Sequence, residues 1–346
     1  MKQRLLIMVL VSLLVGNAAG MVPDSSAAAP AVPPDLVILY TGDGRGSIDP
    51  LGCCSKIGGM ARRLTIIEKF KKENQQVLIV DTGDFLSPRK NSSCNAIRLE
   101  ANRKEEQIIQ YDAMNVAENE IISADDRCLS ESELFNQQQP MLSANVYFTS
   151  DECRQLPPYL IKGIGELKIG ITGLAVPAKN TLSLLPDAVE FRDPLVSLTK
   201  ALEALRTKVD IIILLSHLGW EGSLEIVQAM PDIDIVIVGH GYYPDFEPHY
   251  VGSTLMVKNA FEGGLIGIID VWTNDVKKIE RTQSRLELLS MDIRPAPEYQ
   301  EMEFRYSEDW KKCRDQSRVQ IDLESVKKNL DLSPEEYFEM MNRQNQ

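Results

Sequence analysis

The sequence has 346 residues, of which 50 are Asp or Glu and 37 are Lys or Arg, so the formal net charge is −13 at pH 7. The phosphates of nucleic acid would repel such an acidic chain, which excludes a nucleic acid polymer as a general partner. Hydrophobic residues make up 44% and charged residues 25% of the chain, as in an ordinary soluble protein with a substantial core.

The first twenty residues have the pattern of a secretory signal peptide. A basic start at Lys2 and Arg4 precedes an apolar run at residues 5–15, and small residues suited to cleavage follow at residues 18–20. The run is short for a membrane span, although a membrane anchor stays the alternative interpretation. We therefore predict an exported protein, periplasmic or secreted, with no membrane span after cleavage. Because Lys2 and Arg4 are then lost, its net charge becomes −15.

Strand-like and helix-like segments alternate after a flexible leader rich in Ala, Pro and Ser at residues 21–34. Short apolar runs predict strands at 36–40, 77–80, 113–116, 141–146, 159–161, 167–174, 211–215, 233–238, 255–258, 265–271 and 282–289. Apolar side chains at helical spacing predict helices at 57–72, after the Asp193-Pro194 cap, and around 224–230. Residues 85–110 are predicted to be polar and less regular. A charged helical segment begins near residue 295, with a further helix start at Ser333.

The cysteines form an even set, and an exported protein matures in an oxidising compartment, so disulfides are expected. The six residues are Cys53, Cys54, Cys94, Cys128, Cys153 and Cys313. Six cysteines allow about fifteen pairings, and their spacing does not choose among them.

Acidic or histidine side chains follow five of the predicted strands. These residues are Asp43, Asp84, Glu118, His217 and His240. Ligands and metals are usually held at the carboxyl ends of the strands in an α/β protein. The pattern therefore predicts a metal site assembled at one edge of two sheets.

Several motifs together resemble those of the calcineurin-like metallophosphoesterases in order and approximate spacing. They read TGDGR at 41–45, GGMARR at 58–63, DTGD at 81–84, YDA at 111–113, LSANV at 142–146, SHLG at 216–219 and GH at 239–240. Within that superfamily the chain is similar to the catalytic domain of exported 5'-nucleotidases, over about residues 35–290. The resemblance implies an α/β fold of four layers, an α/β/β/α sandwich of two mixed sheets flanked by helices. Residues 291–346 are predicted to form a helical C-terminal extension.

The resemblance also implies a site for two metal ions between the sheets. Asp84 matches the carboxylate that bridges the two ions, and Asp43 matches the aspartate of the first motif. Glu118, His217 and His240 match further ligand positions, so that Asp84, Glu118, His217 and His240 together hold one metal position. This donor set suits zinc, manganese or iron.

Three positions depart from the implied pattern. Arg45 replaces a histidine ligand and has no lone pair, and Tyr242 replaces a second ligand with a weakly coordinating phenol. Asn119 replaces the catalytic histidine and cannot transfer protons near neutral pH. We therefore expect one metal ion rather than two, or none. Arg45 is expected near the vacated position, where it offsets the charges of Asp43 and Asp84.

The motifs leave three functional hypotheses open. The first is a hydrolase of a small phosphorylated or other anionic substrate, in which Arg45 and Asn119 occupy the catalytic positions. In this hypothesis Arg63 faces the substrate; the alternative for Arg63 is a salt bridge. The second is an inactive protein that binds a partner through its mouth or through residues 291–346. The third is redox or sulfur chemistry at Cys53 and Cys54, which follow the first motif, unless both form disulfides.

Overall fold

The computed structural model of the protein describes residues 32–52, 56–87, 94–123, 140–151, 153–241, 243–258 and 261–329. The predicted signal peptide, Cys53, Cys54, Cys128, Tyr242 and the helix start at Ser333 lie outside these residues. Within the described residues, no helix has the length and apolar character needed to span a membrane.

Six α-helices occur among the described residues. They are α1 (Met60–Glu73), α2 (Asn95–Ile109), α3 (Glu118–Ser123), α4 (Pro194–Leu205), α5 (Gly219–Ala229) and α6 (Pro297–Asn329). The predicted cap of α4 is confirmed, because Asp193 Oδ1 accepts a hydrogen bond from the Val196 N–H at 2.8 Å and Pro194 occupies the first turn.

Fourteen strands among the described residues form two large sheets and one small one. They are β1 (Leu36–Thr41), β2 (Val77–Asp81), β3 (Ala113–Asn115), β4 (Met141–Leu142), β5 (Val146–Phe148), β6 (Tyr159–Ile164), β7 (Leu167–Ala175), β8 (Val189–Phe191), β9 (Ile211–His217), β10 (Ile235–Val238), β11 (His249–Val251), β12 (Thr254–Lys258), β13 (Leu265–Thr273) and β14 (Ile279–Leu288). The first sheet has the order β14-β13-β1-β2-β3-β4 and the second β11-β12-β10-β9-β7-β6, while β5 pairs with β8.

Both large sheets are mixed, and their central strands are parallel. In the first sheet β1, β2, β3 and β4 run parallel, with β13 antiparallel to β1. In the second sheet β7, β9, β10 and β12 run parallel, with β6 and β11 antiparallel at the two edges. Because parallel strands all end at the same edge of a sheet, the residues that follow them are brought together.

The alternation of side chains along the strands builds the four predicted layers. Leu36, Ile38 and Tyr40 of β1 pack against the second sheet, in one core with strands β9 and β10. Val37 and Leu39 point the other way, into the core beneath α1 and α2. Helices α4 and α5 cover the outer face of the second sheet. The predicted α/β/β/α sandwich is confirmed.

Two predicted elements differ from the structure. The run at 141–146 is interrupted between β4 and β5, because Asn145 turns there and its side chain hydrogen-bonds to both backbone groups of Ala175. The prediction of irregular chain over 85–110 is wrong, since α2 lies within it. The polar residues Asn102, Glu105 and Glu106 of α2 are buried beside Ala101 and Ile109, so they interrupt the apolar stripe that would have predicted a helix.

Helix α6 packs against α1 and α2 of its own chain. Glu303 Oε2 accepts a hydrogen bond from the Ala61 N–H at 2.8 Å, and the Tyr306 hydroxyl donates to Glu100 Oε1 at 3.2 Å. A disulfide joins Cys94, at the start of α2, to Cys313 in α6, and Cys153 is also disulfide-bonded. The expectation of disulfides is thus confirmed for these cysteines, and the described part of the extension belongs to the folded domain.

Replacing Cys94 and Cys313 together with serine is expected to lower the free energy of unfolding by about 3–5 kcal/mol. The bond closes a loop with a sequence separation of 219 residues, so its loss frees a long stretch of the unfolded chain. Urea unfolding followed by circular dichroism measures the change. A loss below about 1 kcal/mol would show that α6 is held without the crosslink.

Candidate metal centre

All five predicted metal ligands meet where the strands of the two large sheets end. Asp43, Asp84 and Glu118 follow β1, β2 and β3, while His217 ends β9 and His240 follows β10. Ligand atoms of Glu118, His217 and His240 all lie within 4.8 Å of one another, and so do those of Asp43, Asp84 and His217. His217 belongs to both groups, which makes it the centre of the cluster.

The distances within the cluster are short enough for shared coordination. His217 Nε2 lies 3.5 Å from Asp84 Oδ2 and 3.7 Å from Glu118 Oε2, and His240 Nδ1 lies 3.9 Å from Glu118 Oε1. The two imidazole rings meet edge to face with centroids 4.9 Å apart. The side chain of His240 is 28% exposed whereas that of His217 is fully buried, so the cluster reaches solvent on the His240 side.

The turns that carry these ligands have an unusual backbone. The φ angle is 49° at Asp43 and at Arg45, 55° at Asp84 and 58° at His240, in the left-handed region that side chains other than glycine rarely adopt. Each such residue costs about 1–2 kcal/mol, which the surrounding structure must offset. The N–H groups of Asp43 and Arg45 donate to the carbonyls of Gly83 and Asp84, both at 2.8 Å, so the turns after β1 and β2 hold each other.

A backbone carbonyl sets the orientation of His217. Its Nδ1 lies 3.2 Å from the Thr82 carbonyl oxygen, and a carbonyl only accepts, so Nδ1 carries the proton. In the neutral ring this leaves the lone pair on Nε2, which faces the carboxylates. The same carbonyl accepts a hydrogen bond from Asn115 Nδ2 at 3.2 Å, and Asn115 also donates to the Leu174 carbonyl at 2.9 Å. Asn115 thereby ties β3 to β7 behind the site.

Burial and mutual charge shift the pKa values in the cluster in opposite directions. Burial favours neutral His217, but the charge of Asp84 outweighs it and raises the pKa of His217 to about 10. Burial, with the charge of Asp84, raises the pKa of Glu118 to about 7, and burial, with the charge of His217, lowers the pKa of His240 to about 4. Without a metal, His217 therefore holds a proton on Nε2. A metal ion must displace that proton, so metal binding weakens as the pH falls.

The residues of the cluster could hold a divalent metal ion. Glu118 Oε2, His217 Nε2 and His240 Nδ1 are buried and make no hydrogen bond to any described residue. Buried polar atoms without partners are costly, and three of them converge here beside the Asp84 carboxylate. Two imidazole nitrogens with carboxylate oxygens form a donor set that zinc, manganese and iron accept.

On the Asp43 side of the cluster, an arginine stands beside the carboxylate. Arg45 Nη2 lies 3.6 Å from Asp43 Oδ1, so a guanidinium without a lone pair stands beside this carboxylate. Asp43 Oδ2 accepts a hydrogen bond from the His240 N–H at 2.9 Å. The expectation that Arg45 lies near Asp43 is confirmed, and Tyr242 lies outside the described residues.

Helix α3 contributes more than Glu118. Asn119 is buried, and its backbone N–H donates to Asp84 Oδ1 at 3.1 Å. Glu120, which the motif analysis did not assign, accepts hydrogen bonds at 3.0 Å from the N–H groups of Asp84, Leu86 and Ala117. Glu120 therefore holds the turn that carries Asp84 and is not placed as a metal ligand. No local sequence pattern could have indicated this role, because two of its hydrogen-bond partners lie more than 30 residues away.

The prediction that Arg63 faces the substrate is wrong. Arg63 is 4% exposed, and its Nε and Nη2 atoms both donate to the buried carboxylate of Glu105, at 2.5 and 2.8 Å. Its Nη1 and Nη2 atoms also donate to the carbonyls of Gly263 and Ser47, both at 3.3 Å. The Arg63 guanidinium thus joins α1 to α2 through a salt bridge, which was the alternative prediction for this residue.

Arg63→Met is expected to lower the free energy of unfolding by about 3–5 kcal/mol, because it leaves the Glu105 charge buried and unpaired. The double variant Arg63→Met, Glu105→Met should recover most of that loss. Lys69→Met, on the exposed side of α1, is the matched control, with a change within about 0.5 kcal/mol. Urea unfolding checks these values. Full stability of Arg63→Met with weakened substrate binding would instead restore the original prediction.

Lys258, which belongs to none of the motifs, lies beside the residue that follows His240. It ends β12, next to β10 in the second sheet, and Gly241 lies against its side chain. In the sequence it stands at the end of a predicted strand, but a lysine there is not a metal ligand, so the pattern of acids and histidines does not include it.

Two facing mixed sheets between helical layers, with carboxylates and histidines at one edge, define the fold of the calcineurin-like metallophosphoesterases. The calcineurin-like phosphoesterase YfkN from Bacillus subtilis superposes with a TM-score of 0.63 at 19% identity, over 81% of this chain and 98% of that one. The 5'-nucleotidase precursor from Thermus thermophilus gives a TM-score of 0.67 at 22% identity, over 79% and 58%. The fold implied by the motifs is confirmed.

The sequence itself resembles 5'-nucleotidases. The snake venom 5'-nucleotidase of Naja atra is 27% identical over 298 residues, which is 76% of this chain and 55% of the venom protein. The chain thus spans about half the length of that relative. No protein-family model matches the chain. The resemblance to 5'-nucleotidases that the motifs predicted is confirmed.

Proposed function

We propose that the protein is an exported, metal-dependent hydrolase of phosphate esters or related small anions, similar to the 5'-nucleotidases. The observation that carries this proposal is the convergence of three buried ligand atoms, on Glu118, His217 and His240, that make no hydrogen bond to a described residue. One divalent ion is proposed rather than two, because Arg45 stands beside the Asp43 carboxylate.

The residues of the cluster and their neighbours have three different roles in this proposal. Asp84, Glu118, His217 and His240 hold the ion, and the Thr82 carbonyl keeps His217 Nε2 turned toward it. A divalent ion there would polarise a phosphoryl oxygen and make a water molecule more nucleophilic near neutral pH. Arg45 contributes a fixed positive charge that offsets the neighbouring carboxylates, so an anionic ester is repelled less.

Asn119 limits the substrates that such a site can hydrolyse. Its amide cannot donate a proton to a departing alkoxide near neutral pH. Esters whose leaving group is stable as an anion need no such proton, so we expect aryl esters and phosphoanhydrides to react faster than alkyl monoesters.

The inactive alternative is favoured by the same residue. A chain that keeps the ligand cluster but has Asn119 at the acid position can bind an anion without hydrolysing it. Partner binding through residues 291–346 remains a prediction, since the described part of α6 contacts its own domain. Redox chemistry at Cys53 and Cys54 also remains a prediction, because both lie outside the described residues.

Metal analysis combined with a substrate panel tests the proposal. The purified protein is assayed with p-nitrophenyl phosphate, bis(p-nitrophenyl) phosphate and 5'-AMP, before and after EDTA, and with Mn²⁺ or Zn²⁺ added back. About one metal per chain and EDTA-sensitive turnover support hydrolysis. Bound metal without turnover supports the inactive alternative, and absence of both would refute the metal-dependent function.

A further inference from the structure

Lys258 lies beside the backbone that carries the metal ligand His240. It is paired in register with Val238, the last residue of β10 and two residues before His240. A Cβ atom at Gly241 would lie 2.9 Å from Lys258 Cε and 3.4 Å from its Nζ. The side chain of the half-buried Lys258 therefore rests against the residue that follows His240, and glycine at 241 leaves room for this approach.

The same piece of backbone connects Lys258 to Arg45. Gly241 hydrogen-bonds through its backbone to Asp43, as His240 does through its N–H at 2.9 Å. Arg45 Nη2 lies 3.6 Å from the other oxygen of Asp43. The positive charges of Arg45 and Lys258 thus border the contact between Asp43 and residues 240–241. The two residues are more than 200 positions apart in sequence.

Among the described residues, the nearest counter-charge that acts on Lys258 is that of Asp245, whose pKa the charge of Lys258 helps to lower without a direct ion pair. Asp245 makes its direct contact with His249, at 2.8 Å between Oδ2 and Nε2. Partial burial of a lysine without a direct ion pair is costly, and a bound anion would offset that cost. Lysine binds phosphate as a point charge, while arginine adds directional N–H donors.

We propose that Lys258 and Arg45 form an oxyanion subsite at the mouth of the metal centre, which holds the charged phosphoryl group of the substrate. The inference deepens the proposed function and rests on it for the identity of the substrate, whereas anion binding itself needs no turnover. The two charges belong to the chain and persist when the metal is removed. They give the site an affinity for phosphate-like anions that the carboxylates alone would oppose.

Lys258→Gln is the direct test, with inorganic phosphate as the probe and isothermal titration calorimetry of the metal-loaded protein as the measurement. We expect the Kd for phosphate and the KM for p-nitrophenyl phosphate to rise about tenfold, with kcat within about twofold. Lys258→Arg keeps the charge and should stay within about threefold of the wild type. Lys200→Gln removes an exposed lysine from α4 and should change nothing.

The outcomes separate this subsite from the proposed function. An unchanged phosphate Kd in Lys258→Gln overturns the subsite, even when the wild type hydrolyses esters. Loss of metal from Lys258→Gln also overturns it, because the lysine would then support the metal centre. Phosphate binding that depends on Lys258 in a protein without turnover keeps the subsite and refutes the hydrolase. Should Lys258→Gln fail to fold, Lys258→Met and Arg45→Gln provide the same comparison.

Discussion

Replacing His217 with alanine is expected to strip the metal from the purified protein and to lower kcat/KM by at least about 100-fold. His217 is the one residue that belongs to both ligand groups, and its Nε2 faces Asp84 at 3.5 Å and Glu118 at 3.7 Å. Loss of a residue that only orients a ligand already costs about 10–100-fold in metal affinity or activity, so loss of the ligand itself should cost more. Elemental analysis of the protein and steady-state kinetics measure the two effects.

His249→Ala is the matched control for this result. His249 begins β11 of the same sheet, is 43% exposed and paired with Asp245, and does not belong to the ligand cluster. Its replacement should leave both metal content and activity within about twofold of the wild type, as is usual for surface positions. A metal content that stays the same in His217→Ala would contradict the assignment of the cluster as a metal centre.

Restoring the three lost side chains is expected to produce a two-metal site. The triple variant Arg45→His, Asn119→His, Tyr242→His should bind two metal ions per chain and raise ester hydrolysis by about 100-fold to 10,000-fold, the range for a general acid. The remaining ligands are in place, because Asp43, Asp84 and His217 lie within 4.8 Å of one another. Metal stoichiometry and kcat with an alkyl phosphate, whose leaving group needs protonation, are the measurements.

Arg45→Lys controls for charge in the same experiment. Lysine keeps the positive charge beside Asp43 and, while protonated, offers no lone pair, so this variant should still bind one metal ion. An unchanged metal count in the triple variant would show that more of the second position has been lost than three side chains. A second ion without a gain in rate would locate the defect in catalysis rather than in coordination.

Much of the fold could be predicted because the strands of this protein are apolar and short. The run at 36–40 became β1, and the runs at 77–80 and 211–215 became the cores of β2 and β9. These strands are buried on both faces, and continuous apolar runs are how such strands look in sequence. Helix α2 was not predicted, for the opposite reason. Its inward face carries Asn102, Glu105 and Glu106, which a sequence pattern assigns to solvent.

The positions of three cationic residues show the same limit of prediction from sequence. Arg45 was expected near the ligands because it occupies a motif position, and it lies there. Arg63 also occupies a motif, yet it pairs with Glu105 on another helix, 42 residues away. Lys258 occupies no motif that sequence analysis singled out, and it reaches Gly241 because β12 is hydrogen-bonded beside β10.

The sequence by itself determined which side chains can coordinate and which cannot. Asp43, Asp84, Glu118, His217 and His240 follow or end buried strands, and the chemistry of Arg45 and Asn119 excludes them as ligand and acid wherever they lie. These are local properties of the side chain and of the strand before it. Only the tertiary structure decided which cations border the site and that His217 is shared by both ligand groups, since each depends on packing between segments distant in sequence.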